Sequence, residues 1–408
     1  DTIFSEYSNP LANGDVRRMM NDLFLEGILE RVEGIDTSTL PEWMRVGVQA
    51  REKEEENFEG KLKYLSNEIT DRLPNANRYK DWLSIIEYIA ELKHVSVKID
   101  QDVDDLITEV NQEFYKWMLV HYNSLTSLPP YPQPKLVHHI PHVMNKERLP
   151  DEKVALLVLD GMSYPQWAIV RDYLQQKGFH FEEHGVFTWV PTLTSVSRQA
   201  IFSGNTPFAF GRTITTTASE KKWWKSFWEE HGVLKQYVTY QKALGKETYD
   251  RNHIKGLAKK STKVYGAVVD VIDQLTHHAV LGVKSVLSNL QLWLESDYLV
   301  HLLTDLKNNG FTIYLTSDHG NTMATGIGRV SEGVLVDQGG ERVRIYRNRT
   351  LYEDAAENIS SVTWSNIGLP DDYYVLLANN EEAFVPKGQQ IVTHGGISIE
   401  EVIVPFVK

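Results

Sequence analysis

The pattern of apolar positions changes near residue 150 and separates two kinds of predicted elements. Upstream, apolar residues recur every three or four positions, as they do along one face of an amphipathic helix. The members of two such runs are Trp82, Ile85, Ile86, Ile89 and Leu92, and then Val103, Leu106, Ile107, Val110, Phe114 and Trp117. No catalytic spacing accompanies these runs, so residues 1–126 are predicted to form an α-helical domain.

Downstream of residue 150, apolar residues form continuous runs. Val154–Leu159, Val264–Val271 and Phe311–Thr316 are each predicted to be buried parallel strands. Helical stretches separate them, so residues 151–408 are predicted to form an α/β domain with a mostly parallel sheet flanked by helices. Polar residues follow each run, at the carboxyl ends of the strands, where active sites of such sheets lie.

Residues 127–150 connect these two parts and are rich in proline. This density of proline is incompatible with the interior of a helix, so the segment is predicted to be a linker or a strap over the domain surface. The prolines are Pro129, Pro130, Pro132, Pro134, Pro141 and Pro150.

Composition excludes several classes of protein and narrows the chemistry. The 408 residues include no cysteine, which excludes disulfide frameworks, thiolate nucleophiles and cysteine-type zinc sites. No apolar run reaches the roughly 18 residues of a membrane-spanning helix, and no apolar signal segment is visible. We therefore expect a bacterial cytoplasmic protein, and Asp1 in place of methionine suggests a processed chain or a piece of a longer one.

Carboxylates and histidines gather at the predicted strand ends. Asp160 follows the first strand, and Asp318-His319 follow the last. Asp273 and His277 are four residues apart and share one face of a helical turn. His394 is followed by two glycines, which allow a sharply turned backbone. Three carboxylates and three histidines suffice for two divalent metal ions, and two close ions suit displacement at phosphorus.

A metal site of this kind needs a nucleophile. The hydroxyl-rich segment 190–207 follows the first α/β unit and includes Thr194. Coordination to a metal lowers the pKa of a threonine hydroxyl and makes an alkoxide accessible. Arg198, four residues later, is predicted to share a helical face with Thr194 and to grip a phosphoryl oxygen.

These motifs together resemble a known family. Pro191-Thr-Leu-Thr194, with Gly204 and Pro207 after it, looks like the nucleophile segment of the alkaline phosphatase superfamily. The acidic and histidine motifs appear in that family's order, and the tail from His394 to Pro405 is similar to the PglZ domain of bacterial BREX phage-defence systems. The resemblance covers about residues 150–408 and implies an alkaline-phosphatase-like fold.

The resemblance also implies roles for individual residues. Thr194 would be the nucleophile, close to both ions. The first ion would be held by Asp160, Asp318, His319 and Thr194, and the second by Asp273, His277 and His394. Zinc is the expected metal, with manganese as the alternative. Asp270 is an alternative to Asp273 as a metal ligand, and His278 is an alternative to His277. An asparagine that is common in phosphodiesterase relatives is missing here.

The segment 205–263 bears on the substrate. It is a predicted insertion with twelve Lys or Arg and five Asp or Glu in a chain whose formal net charge is −13. Three lysines interleave with three tryptophans, Trp223, Trp224 and Trp228, which is compatible with base stacking on DNA or an oligonucleotide. In the alternative interpretation, an amphipathic helix packs Trp224, Phe227 and Trp228 onto the domain.

Three functions remain open at this stage. The first is a two-metal phosphodiesterase or nuclease that acts with other BREX proteins in phage defence. The second is a phosphomonoesterase or phosphomutase for a small metabolite. The third is a metal-stabilised assembly module without catalytic activity. The threonine at the nucleophile position and the lack of cysteine argue against sulfatase activity, because the sulfatases of this superfamily usually need a modified cysteine.

Overall fold

A computed structural model describes residues 32–33, 48–49, 53–277, 282–328 and 338–408 of the chain. Most of the first 52 residues of the predicted helical domain therefore lie outside the described part. The α-helices are α1 (Lys53–Arg72), α2 (Tyr79–Lys98), α3 (Asp104–Leu125), α4 (Ile140–Glu147), α5 (Tyr164–Gln176), α6 (Thr194–Ser203), α7 (Glu220–Glu230), α8 (Lys255–Ala258), α9 (Val271–His277), α10 (Val283–Glu295), α11 (Tyr298–Asn308), α12 (Arg349–Asn358) and α13 (Ile399–Val402). None of these described helices combines the length and the apolar character that a membrane span requires.

The strands form one large sheet and three smaller ones. The strands are β1 (Val32–Glu33), β2 (Val48–Gln49), β3 (Lys153–Leu159), β4 (Glu183–Phe187), β5 (Val238–Leu244), β6 (Val264–Val269), β7 (Phe311–Thr316), β8 (Thr322–Gly326), β9 (Gln338–Gly339), β10 (Val343–Tyr346), β11 (Val362–Trp364), β12 (Tyr374–Leu377), β13 (Glu382–Ala383), β14 (Gln390–Thr393) and β15 (Ile403–Val407). The small sheets have the orders β1-β2, β11-β12-β10-β9 and β13-β8-β14.

The central sheet has the order β4-β15-β7-β3-β6-β5. Strand β3 lies between β6 and β7 and pairs with both in parallel, while β15 pairs antiparallel with β4 and β7. The side chains of β3 from Val154 to Leu159 are fully buried, because helices cover both faces of a parallel sheet. The predicted mostly parallel α/β fold with an α-helical region before it is confirmed.

The helical region and the sheet share one hydrophobic core. A single cluster of buried residues includes apolar side chains of α1, α2 and α3 together with those of the central strands. The ring of Phe114 lies 5.1 Å from that of Trp82 and 6.4 Å from that of Phe187, at the end of β4. Polar contacts join the same parts, since the Tyr122 hydroxyl donates to the Thr188 carbonyl over 2.7 Å.

The proline-rich segment 127–150 packs as a strap and contains a helix that its composition concealed. A 3₁₀ turn at Val137–His139 leads directly into α4, and Pro141 lies in the first turn. That position has no intrahelical hydrogen bond to lose, so proline is tolerated there. Val137, His138 and His139 are buried, so the segment packs against the domain and is not a free linker.

The basic segment 205–263 is built into the domain. Its strand β5 forms the edge of the central sheet beside β6, so part of the predicted insertion is a structural strand. The side chains of Trp224 and Trp228 are completely buried, and Phe227 is nearly so. The amphipathic-helix interpretation of α7 is confirmed, and base stacking by Trp224 and Trp228 is wrong because neither ring reaches solvent.

Truncating Phe114 tests whether the helices and the sheet fold as one unit. Phe114→Ala leaves a cavity between α3 and β4 and should lower the free energy of unfolding by about 3–5 kcal/mol. Hydrogen exchange read by mass spectrometry should then show loss of protection in β3 and β7 as well as in α3. The control Leu119→Ala, on the same helix at a half-exposed position, should cost about 0.5 kcal/mol or less. Loss of protection confined to the helices would contradict a shared core.

Candidate active site

The carboxyl ends of three adjacent strands bring the predicted acidic residues together. Asp160 follows β3, and Asp318 and His319 follow β7. Asp273 lies in α9, directly after β6, and its amide donates to the Asp160 carbonyl over 3.1 Å. Because these strands are neighbours in parallel register, residues far apart in sequence meet at one edge of the sheet.

Two glycines permit this close approach of the backbone. Gly161 has a φ of +70°, and a Cβ atom there would lie 3.2 Å from the Asp273 side chain. A Cβ on Gly320 would lie 1.8 Å from the Glu400 carbonyl oxygen, which is far inside van der Waals contact. The Gly320 amide also donates to the Glu401 carbonyl over 2.9 Å, which holds the strand-end loop against α13.

Asp160 and Asp318 form a buried pair of carboxyl groups. One oxygen of Asp318 accepts from the Gly161 amide over 3.1 Å, and Asp160 accepts from Arg198 over 2.7 Å. The second oxygens, Asp160 Oδ1 and Asp318 Oδ2, are buried without a hydrogen-bond partner. Burial raises the pKa of Asp318 well above its usual range, and the neighbouring Asp160 raises it further. Burial likewise raises the pKa of Asp160, although Arg198 opposes that shift.

The predicted nucleophile lies beside the histidines. Thr194 is the first residue of α6, and its Oγ1 lies 2.9 Å from Nε2 of His319. The other ring nitrogen of His319 is 2.9 Å from the Gly320 carbonyl, which orients the imidazole. The ring of His394 stacks on that of His319 with a centroid distance of 3.9 Å. Residues 194, 319 and 394, from three separate segments, therefore meet at one point.

The chain presents two groups of ligand atoms that fit divalent ions. Within each group all ligand atoms lie within 4.8 Å of one another, the first group being Asp160, Asp318 and His319 and the second Asp273, His319 and His394. The unpartnered carboxylate oxygens of Asp160 and Asp318 support this fit, because buried anionic oxygens need a cation or a donor. His319 belongs to both groups, whereas the family resemblance implied that it holds only the first ion.

The structure bears on the choice between Asp273 and Asp270 as a ligand, but not on the choice between His277 and His278. Asp273 belongs to a ligand group, whereas Asp270 belongs to neither of the two groups found in the described residues. Asp270 lies 3.9 Å from the ammonium group of Lys246. His277 is the last residue of α9, and its side chain and the whole of His278 lie outside the described residues. The choice between these histidines remains a prediction.

Arg198, which is predicted to grip a phosphoryl oxygen, is bonded to two carboxylates. Each of its three guanidinium nitrogens donates to a carboxylate. Nε and Nη2 bond Glu220 over 2.9 and 2.8 Å, and Nη1 bonds Asp160. Glu220 also accepts from the Tyr240 hydroxyl. These bonds use three of the five N–H donors of the buried guanidinium, so Arg198 positions Asp160, and its contact with a phosphoryl oxygen stays a prediction.

Glu220 is a site residue that the sequence analysis missed. It is the first residue of the basic helix α7 and is completely buried, although two lysines follow it directly in sequence. The helical spacing contained a signal, because Glu220, Trp224, Phe227 and Trp228 share one face. A carboxylate on the apolar face of a helix requires a buried partner, and that partner is Arg198.

A second buried ion pair holds the loop that carries His394. Oε1 of Glu401 accepts from the Gly396 amide over 2.8 Å and from Arg342 Nε over 3.1 Å. On the other side of the loop, the Thr192 hydroxyl accepts from the Gly395 amide over 2.9 Å. The Thr192 carbonyl lies 2.8 Å from Nδ1 of His394, which orients the imidazole.

A comparison with family models shows to which protein family the chain belongs. The model described as the BREX system PglZ alkaline phosphatase-like domain matches residues 139–408, which is more than half of the chain. The chain belongs to the PglZ family. This confirms the predicted resemblance, and the match begins within the strap of this PglZ domain. Family membership supports a hydrolase that acts on phosphoesters and uses divalent metal ions.

Solved structures with similar folds cover 63% of the chain. Murine ectonucleotide pyrophosphatase/phosphodiesterase 5 is 12% identical, with 88% of its chain covered and a TM-score of 0.47. Phosphonoacetate hydrolase from Sinorhizobium meliloti 1021 is 15% identical, with 90% covered and a TM-score of 0.41. Human ectonucleotide pyrophosphatase/phosphodiesterase 5 is 15% identical, with 87% covered and a TM-score of 0.39. The search of curated proteins found no match.

The Glu401 contacts generate a prediction about the His394 loop. Glu401→Gln removes the charge that pairs with fully buried Arg342, so it should lower the free energy of unfolding by about 3–5 kcal/mol. It should also weaken zinc binding, measured by competition with a chromogenic chelator, because the His394 loop loses its anchor. Glu400→Gln is the matched control, since the buried Glu400 pairs with Lys93 over 2.7 Å rather than with Arg342 or the Gly396 amide. Equal zinc affinity in the two variants would contradict the anchoring role.

Proposed function

We propose that this PglZ domain is a metal-dependent phosphodiester hydrolase with Thr194 as its nucleophile. The observation that supports this proposal most directly is the position of Thr194 Oγ1, 2.9 Å from His319 Nε2, where the two ligand groups meet. His319 is common to both groups, so a hydroxyl bonded to it lies next to both. A threonine with only a structural role in helix capping would not need this neighbour.

The start of α6 supplies a further feature that suits phosphoryl binding. Amides in the first turn of a helix have no intrahelical acceptor, and the helix dipole favours an anion at this end. Thr194 and Ser195 are the first two residues of α6, so their amides are available to the oxygens of a phosphoryl group. The same short segment thus carries both the nucleophile and donors for the group that it attacks.

The proposed metal ligands are Asp160, Asp318 and His319 for one ion and Asp273, His277 and His394 for the other. Zinc suits this mixture of carboxylates and imidazoles, and manganese is the alternative. When bound, the ions act as Lewis acids that lower the pKa of the nucleophile and neutralise phosphoryl charge. Arg198 and Glu220 keep the Asp160 carboxylate in place for this role.

The reaction then proceeds in two displacements at phosphorus. Oγ1 of Thr194 loses its proton and forms a bond to phosphorus, while the bond to the first alcohol breaks and that alcohol leaves with a proton. Water next attacks the resulting threonine phosphoester, breaks the Oγ1–phosphorus bond and restores the hydroxyl of Thr194. The products are one alcohol and one phosphomonoester.

We infer that the domain acts in phage defence together with other BREX proteins in the bacterial cytoplasm, because its family model describes a component of BREX systems. Contact with DNA or an oligonucleotide through segment 205–263 is a further part of the proposal. Lys221 and Lys222 are exposed on α7 and Lys225 is half-buried, and these basic side chains favour contact with phosphate groups. Burial of Trp224 and Trp228 leaves charge, rather than stacking, as the source of such an interaction.

Hydrolysis of bis-(p-nitrophenyl) phosphate, compared with p-nitrophenyl phosphate, tests the proposed activity. Wild type reloaded with zinc or manganese should prefer the diester, and chelation should abolish turnover. Thr194→Ala should lose on the order of a thousandfold in rate. The matched variant Thr194→Ser retains a hydroxyl at the same position and should retain measurable turnover. The metal content of all variants should match that of wild type.

The other outcomes of this assay separate the competing functions. Preference for the monoester would favour a phosphatase or mutase. Bound metal without turnover of either ester would contradict the proposal and favour an assembly module. Cleavage of plasmid DNA with the same dependence on metal and Thr194 would extend the activity to nucleic acid, and its absence would restrict the domain to smaller diesters.

A further inference from the structure

A pocket of about 540 Å³ opens beside the proposed nucleophile. Its floor includes Thr194 and His394, so a phosphoryl group at the metal ligands would direct one of its ester groups into this space. The remaining walls come from three segments of the chain. The described lining residues are Leu193, Thr194, Ser195, Thr215, Thr216, Thr217, Gly340, Glu341, Thr393 and His394.

The charge of this lining is unusual for an enzyme that acts on an anionic ester. None of the described lining residues is lysine or arginine, and Glu341 contributes a carboxylate. The Glu341 side chain is half-buried and makes no hydrogen bond or ion pair with any part of the chain that the structure describes. Its backbone is held in place, because its carbonyl accepts from the Phe384 amide over 2.7 Å.

Three neighbouring threonines line the same pocket. Thr215, Thr216 and Thr217 are consecutive, and Thr215 and Thr216 are exposed to the pocket. The Thr216 hydroxyl accepts from the Ala218 amide over 3.2 Å, which turns this short segment back on itself. A carboxylate and several hydroxyl oxygens form a set of acceptors, and such a set suits a group with several N–H donors.

We propose that this pocket selects phosphodiesters whose ester group carries a primary ammonium, with Glu341 as its counter-ion. This inference rests on the proposed function and specifies its substrate class. An ammonium group has three donors and a compact charge, which one carboxylate and threonine hydroxyls can satisfy together. A quaternary ammonium fits less well, because its usual partners are aromatic faces and no aromatic residue is among the described lining residues.

A polynucleotide strand also fits this pocket less well. A second phosphate next to the scissile one would enter a space whose described lining offers no cationic side chain except the proposed ligand His394. Glu341 would repel that phosphate, since like charges at short distance are unfavourable. The pocket therefore favours a small zwitterionic diester, and the lysines of α7 are not among its described lining residues.

Binding and turnover of matched esters test this inference separately. The probes are p-nitrophenyl aminoalkyl phosphates with ethyl and butyl spacers, compared with the hydroxyalkyl esters of the same length. Calorimetry with zinc-loaded Thr194→Ala protein measures binding without hydrolysis. At least one aminoalkyl ester should bind about 10-fold or more tightly than its hydroxyalkyl counterpart, because hydrogen bonds to charged groups are stronger than neutral ones.

Glu341→Gln in the same Thr194→Ala background should remove this preference, so that the aminoalkyl and hydroxyalkyl esters of equal length bind with equal affinity. Glu353→Gln, an exposed position on α12 that pairs with Arg349, is the matched control and should retain the preference. Equal binding of amino and hydroxy esters by the Thr194→Ala protein would overturn the proposed selectivity. So would a preference that survives Glu341→Gln.

Turnover of the same esters by enzyme with Thr194 intact distinguishes the failure of one proposal from the failure of the other. Preferential binding without any hydrolysis would support the ammonium site and contradict the proposed hydrolase activity. Hydrolysis of both ester series at equal kcat/KM, with equal binding, would support the hydrolase and overturn the role of Glu341.

Discussion

Concentrating carboxylates at the edge of an apolar sheet requires positive charge at the same place. Asp160 and Asp318 are buried next to each other, and each has one oxygen without a partner. The nearest cation is Arg198, but Glu220 takes two of its three donor nitrogens. Ionisation of both carboxyl groups would leave negative charge that this shared arginine does not neutralise, and burial accordingly raises the pKa of both groups. Divalent ions would supply the positive charge that the cluster needs, because the carboxylate oxygens without a hydrogen-bond partner would become their ligands. The close packing at Gly161 serves this concentration, since a side chain there would displace Asp273.

Two buried ion pairs hold the site from opposite sides. The Arg198–Glu220 pair connects the nucleophile helix to α7 and reaches Asp160 directly. The Arg342–Glu401 pair joins the residue before β10 to α13. Glu401 also accepts a hydrogen bond from the Gly396 amide, which anchors the His394 loop. A buried pair of this kind is costly to break, so both help to fix a single arrangement of the ligands. Glu341, which lines the pocket proposed to receive the substrate, directly precedes Arg342 in the sequence.

The strands, and the meeting of most of the proposed ligands at one edge of the sheet, were predictable from sequence because their signals are local. Val154–Leu159 and Phe311–Thr316 are continuous apolar runs that end in acidic residues, and parallel strands must bring such ends together. Other features depend on contacts that composition does not record. The strap helix α4 lies in a proline-rich segment, where proline density argued against a helix although Pro141 fits the first turn. Arg198 has the right spacing to face a phosphate, but its distant partner Glu220 determines its direction. The net positive charge of segment 205–263 likewise concealed the strand β5.

The central claim is that this carboxylate and histidine cluster is built to hold two metal ions. Anomalous diffraction at the zinc edge, from crystals grown with zinc, tests it most directly. The account predicts two peaks, one among Asp160, Asp318 and His319 and one beside Asp273 and His394. Thr194 Oγ1 should lie within contact distance of the ions. Absence of any peak in the cluster, with Arg198 as its only cation, would contradict the account.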